Sequence, residues 1–154
     1  MEPDTYLSRI TPNFSYQEMT KSLTAKRRGI DNTPSVQSYI NLTKLCKFIL
    51  QPIREMWGEP IIVSSGYRCP EVNKIVGGVK ASDHIYGCAA DIKSVADTPA
   101  KNKLLYDLIR RMYNNGELPD LKQCIDEYGY DWIHISFQDG RSKKLGQFIH
   151  ITAP

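Results

Sequence analysis

From Val36 onward the apolar side chains Val36, Tyr39, Leu42, Cys46, Ile49, Ile53 and Trp57 recur every three or four residues, the spacing of one face of an α-helix. Thr33 and Pro34 offer an N-cap and first-position pair and Gly58 a stop, so one long amphipathic helix is predicted between them. Pro52 falls inside the pattern. It has no N–H to donate and its ring crowds the carbonyl four residues back, so the last turn should be kinked or interrupted there. A second helical face follows Thr98-Pro99, with Leu104, Leu105, Leu108, Ile109 and Met112 apolar and Asn114-Asn115-Gly116 as the stop. A short helix is expected to start near residue 16, because Ser15 and Glu18 form a capping box and Phe14 and Met19 a hydrophobic staple. Residues 1–10 show no such pattern and read as an arm.

Strand-like patterning is concentrated later. Residues 61–65 form a compact β-prone run closed by Gly66, and residues 89–93 form a second. Further strands are expected near 122–127, 132–137 and 147–152, the first two joined by the turn-prone Tyr128-Gly129-Tyr130-Asp131. Helices early and strands late predict an α+β domain, an antiparallel sheet with helices packed around it. With 154 residues, 41% of them hydrophobic, the chain suits a single domain over 1–154. Folding at this size buries roughly two-thirds of the unfolded surface, so a bound metal need not be structural.

Charge excludes more than it suggests. Twenty basic against 17 acidic residues give a net charge of +3. The dense basic run Lys26-Arg27-Arg28 lacks the interleaved aromatics of a nucleic-acid groove. It reads as a solvated face, with attraction to an anionic polymer as the lesser reading, and no nucleic-acid partner is expected. Cys46, Cys69, Cys88 and Cys124 contain no C-x-x-C pair, which fits neither a zinc knuckle nor a redox motif, and they are expected to be reduced, buried thiols. No stretch reads as a signal peptide or a membrane span. The expectation is a monomer without membrane insertion, made in the cytoplasm.

The chemistry lies in residues 82–91, Ser-Asp-His-Ile-Tyr-Gly-Cys-Ala-Ala-Asp, a match to S-x-H-x-x-G-x-A-x-D. His84 and Asp91 are both metal-ligand types, and Gly87 suggests that the chain turns between them. Ala89 and Ala90 would let the strand bearing Asp91 pack closely and return its carboxylate toward the imidazole. Alternation along Trp132-Ile133-His134-Ile135-Ser136-Phe137 puts His134 on one face with Trp132 and Ser136, supplying a third ligand. Two histidines and one carboxylate leave a tetrahedral Zn²⁺ a fourth position for water, the ligand count of a hydrolytic site.

These residues, with Ser64-Ser65-Gly66-Tyr67-Arg68 and Asn73, resemble the zinc D-Ala-D-Ala carboxypeptidase and dipeptidase family. That family shares the hedgehog/DD-peptidase-like fold with phage L-Ala-D-Glu endolysins and with the hedgehog signalling domain. The resemblance runs from about Phe14 to His134. It implies zinc on His84, Asp91 and His134, a catalytic carboxylate three residues before the last histidine, and an arginine facing the substrate carbonyl oxygen. Asp131 and Arg68 occupy those places.

Glu127 is the rival to Asp131. If residues 128–131 close a four-residue hairpin, residue 127 pairs with 132 and projects from the face of His134. Asp131 is preferred because the resemblance puts the base there. Arg68, after a strand and a glycine, suits an oxyanion or a substrate carboxylate. Ser82, Tyr67 and Trp132 are candidate substrate contacts, whereas His150 has no motif around it and reads as structural. The expected function is hydrolysis of peptide bonds in the peptidoglycan stem peptide, of the L-Ala-D-Glu endopeptidase or D-Ala-D-Ala carboxypeptidase type. Such an enzyme would act at the bacterial cell wall, as an endolysin does after release by a holin or by lysis. The alternative is an inactive zinc-bearing wall-binding or interaction module of the same fold.

Overall fold

Side-chain caps decide many of the element boundaries in the computed structural model, which describes residues 8–152. Strand β1 (Arg9–Thr11) pairs with β2 (Phe14–Ser15), so the expected arm is already strand at its end, and its residues 1–7 lie outside the described part. The Ser15 hydroxyl accepts from the Glu18 N–H while the Glu18 carboxylate accepts from the Ser15 N–H, and this closed box starts α1 (Tyr16–Thr20). Phe14 and Met19 are both buried, as a staple requires. Ser22 caps α2 (Leu23–Arg28), a helix the apolar pattern does not announce. Its exposed last turn carries Lys26, Arg27 and Arg28, cations beside the negative end of the helix dipole.

The long helix begins at Val36, two residues later than Thr33-Pro34 suggests. Ser35 is the actual cap, its hydroxyl accepting from the Ser38 N–H, while the Thr33 hydroxyl donates to Asp31. The helix runs through α3 (Val36–Leu45), a π-helical turn (Cys46–Leu50) and α4 (Gln51–Trp57). Within the π-turn the Gln51 N–H reaches back five residues to the Cys46 carbonyl. The wider turn spreads the carbonyls that the Pro52 ring would otherwise meet, so the expected disturbance is a bulge and the helix continues to Gly58.

Strand β3 (Ile61–Ser65) leads into α5 (Pro70–Ile75), also unannounced by the pattern, and a 3-10 turn (Asp83–Tyr86) precedes β4 (Ala89–Ser94). Thr98 caps α6 (Pro99–Asn114). Leu105, Ile109 and Met112 are buried as expected, but Leu104 is exposed and Tyr106 takes an inward position. The chain closes with β5 (Leu121–Glu127), β6 (Trp132–Phe137) and β7 (Gln147–Ile151).

The main sheet has the order β3-β4-β6-β5-β7. It is antiparallel except at its last pair, where β7 runs parallel to β5. The cause is topological: β6 reverses into β7 but crosses β5 to reach the edge, so β7 shares β5's direction. The fold is α+β. Ile92 pairs with Ile133, and these fully buried residues pack with Ile135, Leu42, Ile53, Leu105 and Ile109 into one core between sheet and helices. Strand alternation turns the neighbouring pair, Asp91 and His134, toward the opposite face.

All four cysteines are free and buried. Burial pushes the Cys46 and Cys88 thiols up to about 12. Melting temperature is therefore expected to be the same with and without dithiothreitol at constant metal content. A bridge would contribute about 2 to 4 kcal/mol, so a clear fall on reduction would contradict the free-thiol arrangement.

Candidate metal centre and substrate cavity

The 3-10 turn and two neighbouring strands bring three ligand types together. Gly87, at φ 75°, ends the turn and reverses the chain into β4. His84 lies before that reversal and Asp91 after it, with Asp91 directly opposite His134 across the β4–β6 pairing. His84 Nε2 lies 3.3 Å and His134 Nδ1 3.1 Å from Asp91 Oδ1. The potential ligand atoms of the three residues all lie within 4.8 Å of one another. His84 Nδ1 is 2.7 Å from the Gly66 carbonyl oxygen. Donation there fixes the tautomer and leaves Nε2 as a lone-pair donor, the outer hydrogen bond that metal-binding imidazoles use. Burial opposes ionisation of Asp91, but the two imidazoles outweigh it and hold its carboxyl below the ordinary range. The donor set therefore fits a divalent metal.

A cavity of about 540 Å³ opens over this cluster. Arg68, Ser82, Glu127 and Trp132 line it together with the three ligand residues. Ser82 is buried, and its hydroxyl accepts from the His84 N–H at 3.2 Å and from an Arg68 guanidinium nitrogen at 3.4 Å. The Arg68 backbone N–H donates to the His84 carbonyl, tying the arginine to the metal turn. Glu127 pairs with Trp132, the register of a four-residue hairpin. Burial raises the Glu127 carboxyl, with His134 opposing and Asp91 reinforcing the shift.

Two of the expected site residues do not line this cavity. Asp131 is exposed in the turn before β6 and does not line the cavity. It lies in the turn outside β6, whereas Glu127 is on the cavity lining. Tyr67 is not on its lining either; it packs in the core, 5% exposed, its N–H bonded to the Met19 carbonyl.

The Peptidase M15 family matches residues 12–136, most of the chain and every residue of the metal cluster. This chain belongs to the Peptidase M15 family. No curated protein matches it closely enough to count as a relative. Members of the family are metallopeptidases, which agrees with the His84, Asp91 and His134 cluster. No helix among the described residues of this M15 peptidase is long and apolar enough to cross a membrane.

Sequence reasoning missed the residues that brace the M15 site. Asp83, beside His84, accepts from Lys122 at 2.9 Å and 3.0 Å and from Arg141 at 2.6 Å. Arg141 also donates to Asp139 at 2.6 Å and lies over the Tyr86 ring at 3.7 Å. The loop between β6 and β7 is thereby strapped to the metal turn. No local motif announces this contact, because Asp83 and Arg141 are far apart in sequence. The turn after Glu127 is braced as well. Tyr128, Gly129 and Tyr130 all have positive φ, at 55°, 70° and 65°. Asp126 accepts from the Tyr130 N–H, and Asn102 donates to the Tyr130 carbonyl at 2.9 Å. His150 contacts the other Asp126 oxygen at 3.0 Å and packs against Tyr106, on the helix side of the sheet.

Gly87 is the position where a side chain should do most harm. An added Cβ would strike the Ser38 carbonyl, and φ is already left-handed. Gly87→Ala is expected to cost at least about 1–3 kcal/mol and to lower metal occupancy. Gly129→Ala, which meets nothing nearby, should carry only the backbone penalty. Thermal melts with elemental analysis compare the two; equal losses of stability and metal would remove the steric explanation.

Proposed function

We propose that this M15 peptidase is a zinc enzyme that hydrolyses peptide bonds in the stem peptide of peptidoglycan, with Glu127 as its general base. The observation that carries the reading is one cavity holding His84, Asp91 and His134 together with Glu127 and Arg68. Two imidazoles and one carboxylate suit Zn²⁺, which takes nitrogen and oxygen ligands tetrahedrally and keeps one position open in catalytic sites. Bound there, the ion would supply Lewis acidity, lowering the pKa of a water to about 7 and polarising the scissile carbonyl.

The chain's own residues do the rest. Glu127 accepts the proton of the attacking water and returns it to the leaving nitrogen, and its raised carboxyl makes it the stronger base for the first transfer. Arg68 donates to the carbonyl oxygen as negative charge develops on it. Trp132 and Tyr128, with rings in edge-to-face contact 5.2 Å apart, give the substrate a firm apolar wall. Lys144 also reaches the cavity. A cavity with Arg68 and Lys144 at its walls favours a peptide carrying carboxylates, as the stem peptide does. The residues resembling the carboxypeptidases and endolysins support the same substrate, and internal cleavage of the L-Ala-D-Glu type is favoured.

Glu127→Gln is expected to retain metal and fold and to lose activity by about a hundred-fold to ten-thousand-fold, while Asp131→Asn remains within several-fold of wild type. The reverse pattern would return the base to Asp131. Mass spectrometry of muropeptides incubated with the zinc-loaded protein should show new peptide termini, lost on chelation. New reducing sugars with intact stems would overturn the peptidase reading of the substrate.

A further inference from the structure

A second cavity, of about 440 Å³, lies along β3 between α2 and α5. Arg68 lines both this cavity and the one over the metal cluster, so the two are neighbours across its side chain. β3 is the outer strand of its sheet. β4 pairs with one of its edges, and no described strand pairs with the other. An unpaired strand edge presents a row of main-chain donors and acceptors, and an extended peptide can bind there without matching side chains one by one.

The walls suit such a peptide. Leu23 of α2 and Val76 after α5 face the groove and remain 56% and 47% exposed, while Val72 closes its floor. Ile62, 37% exposed, and Ser64 project from β3 itself. At the junction, Arg68 Nε is buried and has no hydrogen-bond partner among the described residues. A buried donor left unmade is costly, and an acceptor on a ligand passing this point would satisfy it. The five residues of β3, at about 3.3 Å each, offer a track for a segment of similar length.

We propose that this groove holds the part of the substrate peptide beyond the bond that is cut. The segment adds to the free edge of β3, rests apolar side chains on Leu23 and Val76, and passes Arg68 into the metal cavity, where a substrate oxygen accepts from the guanidinium. The proposal deepens the stem-peptide reading and rests on it. The shared wall at Arg68 favours the substrate chain over a separate ligand, since a segment at that end of the groove lies next to the metal cavity.

The test uses zinc-loaded full-length Glu127→Gln protein, which binds without cutting. Its affinities for a stem pentapeptide and for the dipeptides L-Ala-D-Glu and D-Ala-D-Ala are measured by calorimetry, and backbone amide shifts by NMR. The pentapeptide is expected to bind at least ~10-fold tighter than either dipeptide, the scale of one well-made contact, and to move the amides of Ile62 and Ser64. Leu23→Asp and Val76→Asp, both at exposed positions, should remove that advantage. Val95→Asp, outside both cavities, controls for the added charge. Equal affinities, no pentapeptide binding, shifts confined to the metal turn, or an advantage that survives both substitutions would overturn the groove. Length-dependent binding in a wild-type protein that releases no new termini would refute the peptidase reading and leave the groove standing.

Discussion

The β4–β6 pairing that sets Asp91 opposite His134, on the face of the sheet turned away from the helical core, constrains everything else in the site. Strand alternation allows no compromise: the next pair along, Ile92 and Ile133, must be buried, so Asp91 and His134 must face outward together. His84 is then added from the 3-10 turn, and its ring is aimed by the Gly66 carbonyl. Close approach is what makes this possible. Ala89 and Ala90 are fully buried, and Gly66 and Gly87 each stand where a Cβ would meet backbone carbonyl oxygen. Small residues around the motif are therefore part of the ligand geometry.

The hairpin between β5 and β6 works on the opposite side of the cavity. Its turn carries three successive left-handed residues, two of them tyrosines, a conformation that L side chains adopt only when their surroundings compel it. Asp126 and Asn102 do the compelling, one from within β5 and one from α6. The same turn fixes Glu127 opposite Trp132 and moves Asp131 out to solvent.

How legible all this was from sequence follows the range of each interaction. The Ser15–Glu18 capping box, the Thr98-Pro99 start and the alternation around His134 are local, and they read correctly. The metal cluster was legible because two of its three ligands are bracketed by one short motif. Helix α3 began late because Ser35 competed with Thr33 for the cap, and nothing in the residue types decides between them. The short helices α2 and α5 bury only a few side chains each, too few to leave a period. Tyr67 and the parallel edge of β7 depended on tertiary placement. Which of Glu127 and Asp131 lines the cavity depends on the hairpin register, which the turn residues allowed as one option without fixing it.

The strap from Arg141 to Asp83 separates the molecule into a part that holds the metal and a part that shapes access to it. The family match ends at residue 136, before the strap begins, and Arg141 clasps the metal turn from beyond that limit. The segment bearing Arg141 and Lys144 thus forms a rim, outside the family match, on the cavity over the metal cluster. For an engineer, it is the stretch to exchange first, since Lys122 on β5 still pairs with Asp83 when Arg141 is gone.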